Sequence, residues 1–166
     1  MFRTMRRSGQ ALPQEEVDSI LRTEQTGVLA VLGDEDYPYT VPMNFCYDGE
    51  SIYFHCAKEG HKLDAVLKHH KASFCVIHKD EVEPETYSTR YQSVIAFGKV
   101  EPITDAEHMI RALVALAEKY APMRTLREHK AEIEQDFSRV MVLKMAIEHV
   151  TGKEGGQLAA LRKQQQ

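Results

Sequence analysis

The chain has 166 residues, of which 43% are hydrophobic and 28% charged, and a formal net charge of −4. That length suits one domain, and a sequence pI near 6.1 leaves no global basic field to attract nucleic acid or an anionic membrane. No apolar run approaches the ~20 residues of a membrane span and the N-terminus lacks a signal-peptide core, so a cytoplasmic protein with no membrane or nucleic-acid partner is expected.

Along the chain, Arg3, Arg6 and Arg7 form a short basic cluster, read as a solvated arm that docks on a partner subunit. Residues 13–22 are predicted as a first helix, with Pro13 at its start, Glu15 and Glu16 in the first turn and Val17, Ile20 and Leu21 at helical spacing. The apolar run 28–32 is a strand closed by the turn Gly33-Asp34-Glu35-Asp36. A second strand, 37–47, alternates Tyr39, Val41, Met43, Phe45 and Tyr47 with Thr40, Pro42, Asn44 and Cys46, and Asp48-Gly49 turns it into a third strand at 51–56.

Leu63, Val66 and Leu67 mark the buried stripe of a helix over 60–70, and 72–78 is another strand. The acidic, proline-containing stretch 79–89 is expected to be a surface loop. A long strand over 90–103 follows, with a bulge or bend at Gly98. Thr104-Asp105-Ala106-Glu107 has the spacing of a capping box, and Met109, Ile110, Leu113 and Leu116 supply the apolar face of the helix it opens, which Pro122 ends. A short helix over 127–135, a last strand over 138–150 and a frayed polar tail complete the reading, which divides the chain into a domain at 1–152 and a tail at 153–166. Antiparallel strands joined by short turns dominate, and closure into a small barrel would remove their exposed edges.

The most informative segment is Tyr53-Phe54-His55-Cys56-Ala57-Lys58-Glu59-Gly60-His61-Lys62-Leu63, in which a strand passes through a tight loop into a helix whose first turn carries Gly60 and Lys62. Helix N-termini present unpaired amides and about half a unit of positive charge, so this is the geometry of a phosphate site, to which Lys62 adds a full charge. His61 either donates to the same anion or is solvated. His55 lies on the strand face opposite Ile52, Phe54 and Cys56, pointing where a ligand would lie, although an isolated histidine is more often a surface residue or a hydrogen-bonded filler.

Pro42 lacks a ladder donor and belongs at a sheet edge or bulge, which would leave backbone groups of Met43, Asn44 and Phe45 free to pair with a flat heterocycle such as an isoalloxazine; the bland reading is a sheet rim. Cys46, Cys56 and Cys75 form no C-x-x-C pair and are read as reduced small hydrophobes. His69 and His70 are adjacent on the helix and point apart, so a helix-end role is preferred to a shared metal, and no metal site is expected.

Taken in order, Arg6-Arg7, Gly27-Val28-Leu29-Ala30, Tyr37-Pro38-Tyr39-Thr40-Val41-Pro42, Tyr47-Asp48-Gly49, Ile52-Tyr53-Phe54-His55-Cys56-Ala57, Gly60-His61-Lys62-Leu63-Asp64, Tyr91-Gln92-Ser93-Val94, Phe97-Gly98 and Thr151-Gly152-Lys153-Glu154 resemble the Nim-type nitroimidazole-resistance proteins. These are pyridoxamine 5′-phosphate oxidase-related flavoproteins. The resemblance implies a mainly β, single-domain fold with helices, the antiparallel, Greek-key-like split β-barrel that binds FMN, as a homodimer with the cofactor at the subunit interface.

It also implies that Pro42, Met43, Asn44 and Phe45 line the flavin ring. His55, Cys56, Ala57, Gly60, His61 and Lys62 would surround the ribityl phosphate and nearby edge, Ser93 would approach from the partner region, and His55 would act at the substrate side. Where related oxidases carry an aromatic residue or arginine near the C-terminus, this chain has Gly155-Gly156-Gln157, which argues against pyridoxal chemistry. The expected activity is reduction of FMN by reduced nicotinamide or another donor, then transfer of electron pairs to a 5-nitroimidazole-like or other electron-poor small molecule. The alternative is a flavin- or haem-binding module without turnover, a sensor or store.

Overall fold

The computed structural model describes residues 1–164. Its strands are β1 (Thr26–Leu32), β2 (Pro38–Asn44), β3 (Cys46–Tyr47), β4 (Ser51–Ala57), β5 (Lys71–Glu83), β6 (Ser88–Pro102) and β7 (Val140–Glu154). Its helices are α1 (Gln14–Thr23), α2 (His61–Lys68), α3 (Ala106–Tyr120), α4 (Leu126–Asp136) and α5 (Gly156–Gln164). All strand pairs are antiparallel, in one sheet of order β2-β1-β5-β6-β7-β4-β3.

That order explains the shape. The two outermost strands, β2 and β3, are consecutive in the chain and separated by Phe45 alone, so the sheet must curl until its ends meet. The interior is apolar: Phe74 packs edge-on against Phe45 at 4.8 Å and against Phe54 at 5.0 Å between ring centroids, and all three are fully buried. Val17, Ile20 and Leu21 of α1 and Leu63 and Val66 of α2 join this core. A second cluster lies outside the barrel, where Met109, Ala112 and Leu116 of α3 cover Cys46, Tyr53 and Val142. The fold is the antiparallel split β-barrel.

The hydrogen-bond ladder does not close, contrary to the expectation of a sealed barrel. β2 remains an edge strand, paired only with β1, and Pro42 sits opposite Val28 with no amide to offer a further neighbour. The expected continuous strand over 37–47 is broken at Phe45, where the chain leaves its pairing with β1 and begins pairing with β4.

Three other local expectations change. Residues 79–89 are not a loop: β5 and β6 continue as a two-stranded ribbon to Glu83 and Ser88, pinned by Arg90 to Glu83 at 2.5 Å. The helix after β6 is capped by Asp105, whose carboxylate accepts from the His108 amide at 2.8 Å, rather than by Thr104. The capping box belongs to α4, where Thr125 and Glu128 cap each other's backbone amides.

The C-terminal segment is not frayed over its described part. β7 runs to Glu154 and α5 follows, held by a hydrogen-bonded ion pair from Arg162 to the buried Glu154 at 2.7 Å and by a bond from Arg162 to the Ala11 carbonyl at 2.9 Å. Residues 153–164 therefore pack on the barrel, while Gln165 and Gln166 lie outside the described residues. The irregularity expected near Gly98 is present: the β6–β7 register shifts between Phe97 and Gly98, leaving Glu148 unpaired on β7. A Cβ at Gly98 would stand 2.1 Å from the Ala146 carbonyl oxygen, so the close approach requires glycine.

Among the described residues no helix is long and apolar enough to cross a membrane.

Candidate functional site

The free edge of β2, the end of β4 and the start of α2 converge on one surface. Gly60 caps α2 with φ +121 and ψ 161, a backbone conformation nearly exclusive to glycine, and a Cβ there would meet nothing within 4 Å. Glycine is thus demanded by the turn and not by crowding, and the space above the helix mouth is open. The Gly60 carbonyl accepts from the Leu63 and Asp64 amides at 2.9 and 3.1 Å, while the His61 and Lys62 amides, in the first turn, have no intrahelical partner.

Lys62 reaches across to β2, its Nζ lying 3.1 Å from Met43 Sδ. Its charge also acts on β4. The His55 imidazole is held below its ordinary pKa by burial first and by Lys62 second, and the Cys56 thiol is raised by burial, with Lys62 opposing. Met43, His55, Cys56, Gly60 and Lys62 are thus brought together, with Ala57 exposed at the end of β4. Pro42 and Asn44 face outward on the edge strand, and Asn44 shares a cleft with His55.

Three of the residues singled out in the sequence sit differently from the rest. Phe45 is fully buried, its side chain in the core. Its backbone is already used, because its amide donates to the Tyr120 hydroxyl at 2.8 Å and its carbonyl lies 2.9 Å from the same oxygen. His61 stacks on Tyr39 at 4.2 Å and stands 3.6 Å from Asp34, so its ring turns toward the β1–β2 connection. Ser93, on β6, lies in another cavity of about 530 Å³ that the N-terminal residues 1–6 share with Phe97, His149 and Lys153.

Both helices were expected from the sequence, but their place beside His55 and the role of Tyr120 were not. α3 and α4 wall a cleft of about 410 Å³ whose floor carries Asn44 and His55 and whose sides are Leu113, Leu116, Ile133 and Val140. The apolar spacing on α3 was a signal for a buried helix face, but nothing local indicates that this face meets His55. A second hollow, of about 490 Å³, lies on the other side of α3 beside Cys46, Tyr53 and Lys119. There burial pushes the Cys46 thiol up to about 11 and depresses Lys119, whose ammonium sits 4.0 Å over the Phe45 ring.

All three cysteines are free, and among the described residues no group of three or more His, Cys, Asp and Glu side chains is spaced to hold a metal ion.

Comparison with known proteins bears on this geometry. Residues 13–154 match the family described as pyridoxamine 5′-phosphate oxidase. No curated protein matches. Among solved structures, one from Bacteroides thetaiotaomicron, described as a candidate 5-nitroimidazole antibiotic resistance protein, is 25% identical, with a TM-score of 0.75 over 87% of this chain and 86% of that one. A conserved hypothetical protein of Mycobacterium tuberculosis gives 20% identity and a TM-score of 0.78 over 93% and 92%. The FAD and haem binding protein of Mycobacterium smegmatis gives 23% and 0.73 over 90% and 74%.

Proposed function

Because the chain belongs to the pyridoxamine 5′-phosphate oxidase family, we propose that it binds a flavin at the β2–β4–α2 surface and uses it to reduce electron-poor small molecules. The observation that carries this reading is the α2 mouth, where a glycine-only turn, open space above it, unpaired first-turn amides and Lys62 meet beside an unpaired strand edge. These groups fit a flavin. A phosphate suits the helix start, and a planar ring with alternating donors and acceptors suits the edge of β2.

We favour FMN, since one phosphate site next to one edge accounts for its two recognition needs. Lys62 and the amides of His61 and Lys62 would hold the phosphate, and the outward groups of Pro42, Met43 and Asn44 would border the ring. When bound, flavin supplies two-electron chemistry, taking a hydride from reduced nicotinamide or a similar donor and passing the electron pair to an acceptor such as a nitro group. A nitro group reduced in this way takes up two protons and releases water as it becomes a nitroso group. The protein's part is to bind, orient and exclude water. His55, whose pKa is lowered by partial burial and then by Lys62, would orient the acceptor through its ring nitrogens.

A homodimer completes the reading. Ile77, Ile95 and Phe97 form an exposed apolar group on the outer face of β5 and β6. Ser93 lies on this side, in a cavity separate from the surface described above. A second copy covering that face would bury the apolar group and bring Ser93 to the partner's flavin.

The test is the absorption spectrum of the purified protein, followed by anaerobic bleaching with reduced nicotinamide and recolouring with a 5-nitroimidazole. A yellow protein that completes this cycle is expected. A Soret band favours haem, flavin that never returns electrons favours a store or sensor, and a protein that stays colourless with added FMN overturns the assignment.

A further inference from the structure

The cleft between α3 and α4 has a chemistry of its own. Its walls are aliphatic, from Leu113, Leu116, Ile133 and Val140, and at about 410 Å³ it falls in the size range of small-molecule sites. Its floor carries Asn44 and His55, and Asn44 also lies on the free edge of β2, so whatever occupies the cleft stands next to whatever lies along β2.

The charges around it have one sign. Glu132 and Asp136, one helical turn apart on α4, line it, and no lysine or arginine does. Asp136 is 3.3 Å from Arg139, whereas Glu132 has no ion-pair partner among the described residues. The His55 pKa is shifted toward the neutral imidazole, and Lys62 lies over Met43, with its Nζ 3.1 Å from Sδ, and is not among the residues lining the cleft. The Tyr120 hydroxyl is tied to the backbone of Phe45 and Gln25, so its ring and not a free polar group faces the cleft.

We propose that this cleft is the acceptor pocket and that Glu132, with Asp136, makes it select neutral and cationic planar acceptors over anionic ones. The proposal rests on the flavin-reductase reading for the word acceptor, but the cleft's selectivity can be measured with no flavin present. Three nitroaromatic probes of similar size separate the charges: 4-nitrobenzylammonium, 4-nitrobenzyl alcohol and 4-nitrobenzoate.

Binding of each to the full chain is followed by the methyl NMR shifts of Leu113, Leu116, Ile133 and Val140. The cation and the alcohol should move these methyls, with the cation binding about tenfold more tightly than the carboxylate, an electrostatic difference of about 1.4 kcal/mol. Glu132→Lys, at an exposed position that leaves the fold intact, should reverse the order of cation and anion. Ala117→Trp, which fills the cleft, should abolish the shifts for all three. Equal affinity for cation and carboxylate, an order unchanged in E132K, or methyls that none of the probes moves would each overturn the inference, whatever the protein's colour. A colourless protein that still ranks the probes as stated would instead remove the flavin reading and keep the selective cleft.

Discussion

The Tyr120 hydroxyl closes the seam of the barrel through Phe45: it accepts the Phe45 amide at 2.8 Å, and its one proton serves the carbonyls of Phe45, 2.9 Å away, and Gln25. Phe45 is where β2 gives way to β3, so these are the backbone groups that an unclosed ladder would leave unpaired. Burial raises the Tyr120 pKa, keeping the hydroxyl protonated for this role. Tyr120→Phe should therefore cost about 1 to 3 kcal/mol in denaturant unfolding, the expense of leaving a buried amide without an acceptor. A loss below measurement error would mean that water or another group satisfies Phe45.

Gly60 tests the helix mouth. With φ +121 and ψ 161 it occupies a region that costs other residues on the order of 1 to 3 kcal/mol, although no atom blocks a side chain there. Gly60→Ala should lower stability by that order and weaken flavin retention, because the strain is relieved by moving the first-turn amides. Unaltered stability together with unaltered retention would show that the turn has no special requirement.

His55 and Lys62 share an electrostatic signature. His55 is shifted below its usual value of 6.5, by burial and then by the Lys62 charge. A depressed pKa means that the unfolded chain binds the proton first as pH falls. The stability associated with neutral His55 is thus intact above 6.5 and lost as pH drops from there toward the folded-state value. An NMR titration of the His55 ring should give a midpoint below 6.5 that moves upward in Lys62→Ala. The same variant should retain FMN poorly, whereas His55→Ala should impair turnover more than retention. A midpoint insensitive to Lys62 would separate the two side chains.

Arg162 and Glu154 fasten the C-terminal helix. Glu154 is 1% exposed and Arg162 meets the same carboxylate oxygen through Nε at 2.9 Å and through a terminal nitrogen at 2.7 Å. Removing one partner of a buried pair strands the other charge, so Arg162→Ala should destabilise by roughly 3 kcal/mol, less for this partly exposed arginine if water reaches the carboxylate. Arg162→Ala paired with Glu154→Gln should recover part of the loss. A double variant as unstable as the single one would place the energy in packing rather than in charge.

The elements themselves were legible because their signals are local. A continuous apolar run marks β1, alternation marks the stretch that holds β2 and β3, helical spacing marks α1, α2 and α3, and the Gly60-His61-Lys62 start of α2 lies within a few residues of His55. Where two local signals competed, the nearer-looking one misled. Thr104 has capping-box spacing, yet Asp105 reaches the His108 amide, while the box that forms is at Thr125 and Glu128.

The polar composition of 79–89 suggested a loop because exposed ribbon strands carry no buried face to register as alternation. The polar tail likewise hid a helix whose hold depends on a carboxylate eight residues upstream and a carbonyl at Ala11.

Backbone preferences and neighbours close in the chain were enough to mark most of the strands, the edge position of Pro42 and the glycine-and-lysine start of α2. Tertiary structure alone decided that Tyr120 would stitch Phe45 from 75 residues away, that His61 would turn to Tyr39, and that α3 and α4 would raise a cleft over Asn44 and His55. These depend on which faces meet once the sheet has curled, and the total burial gained by the whole core sets that curl, so no single segment carries the information.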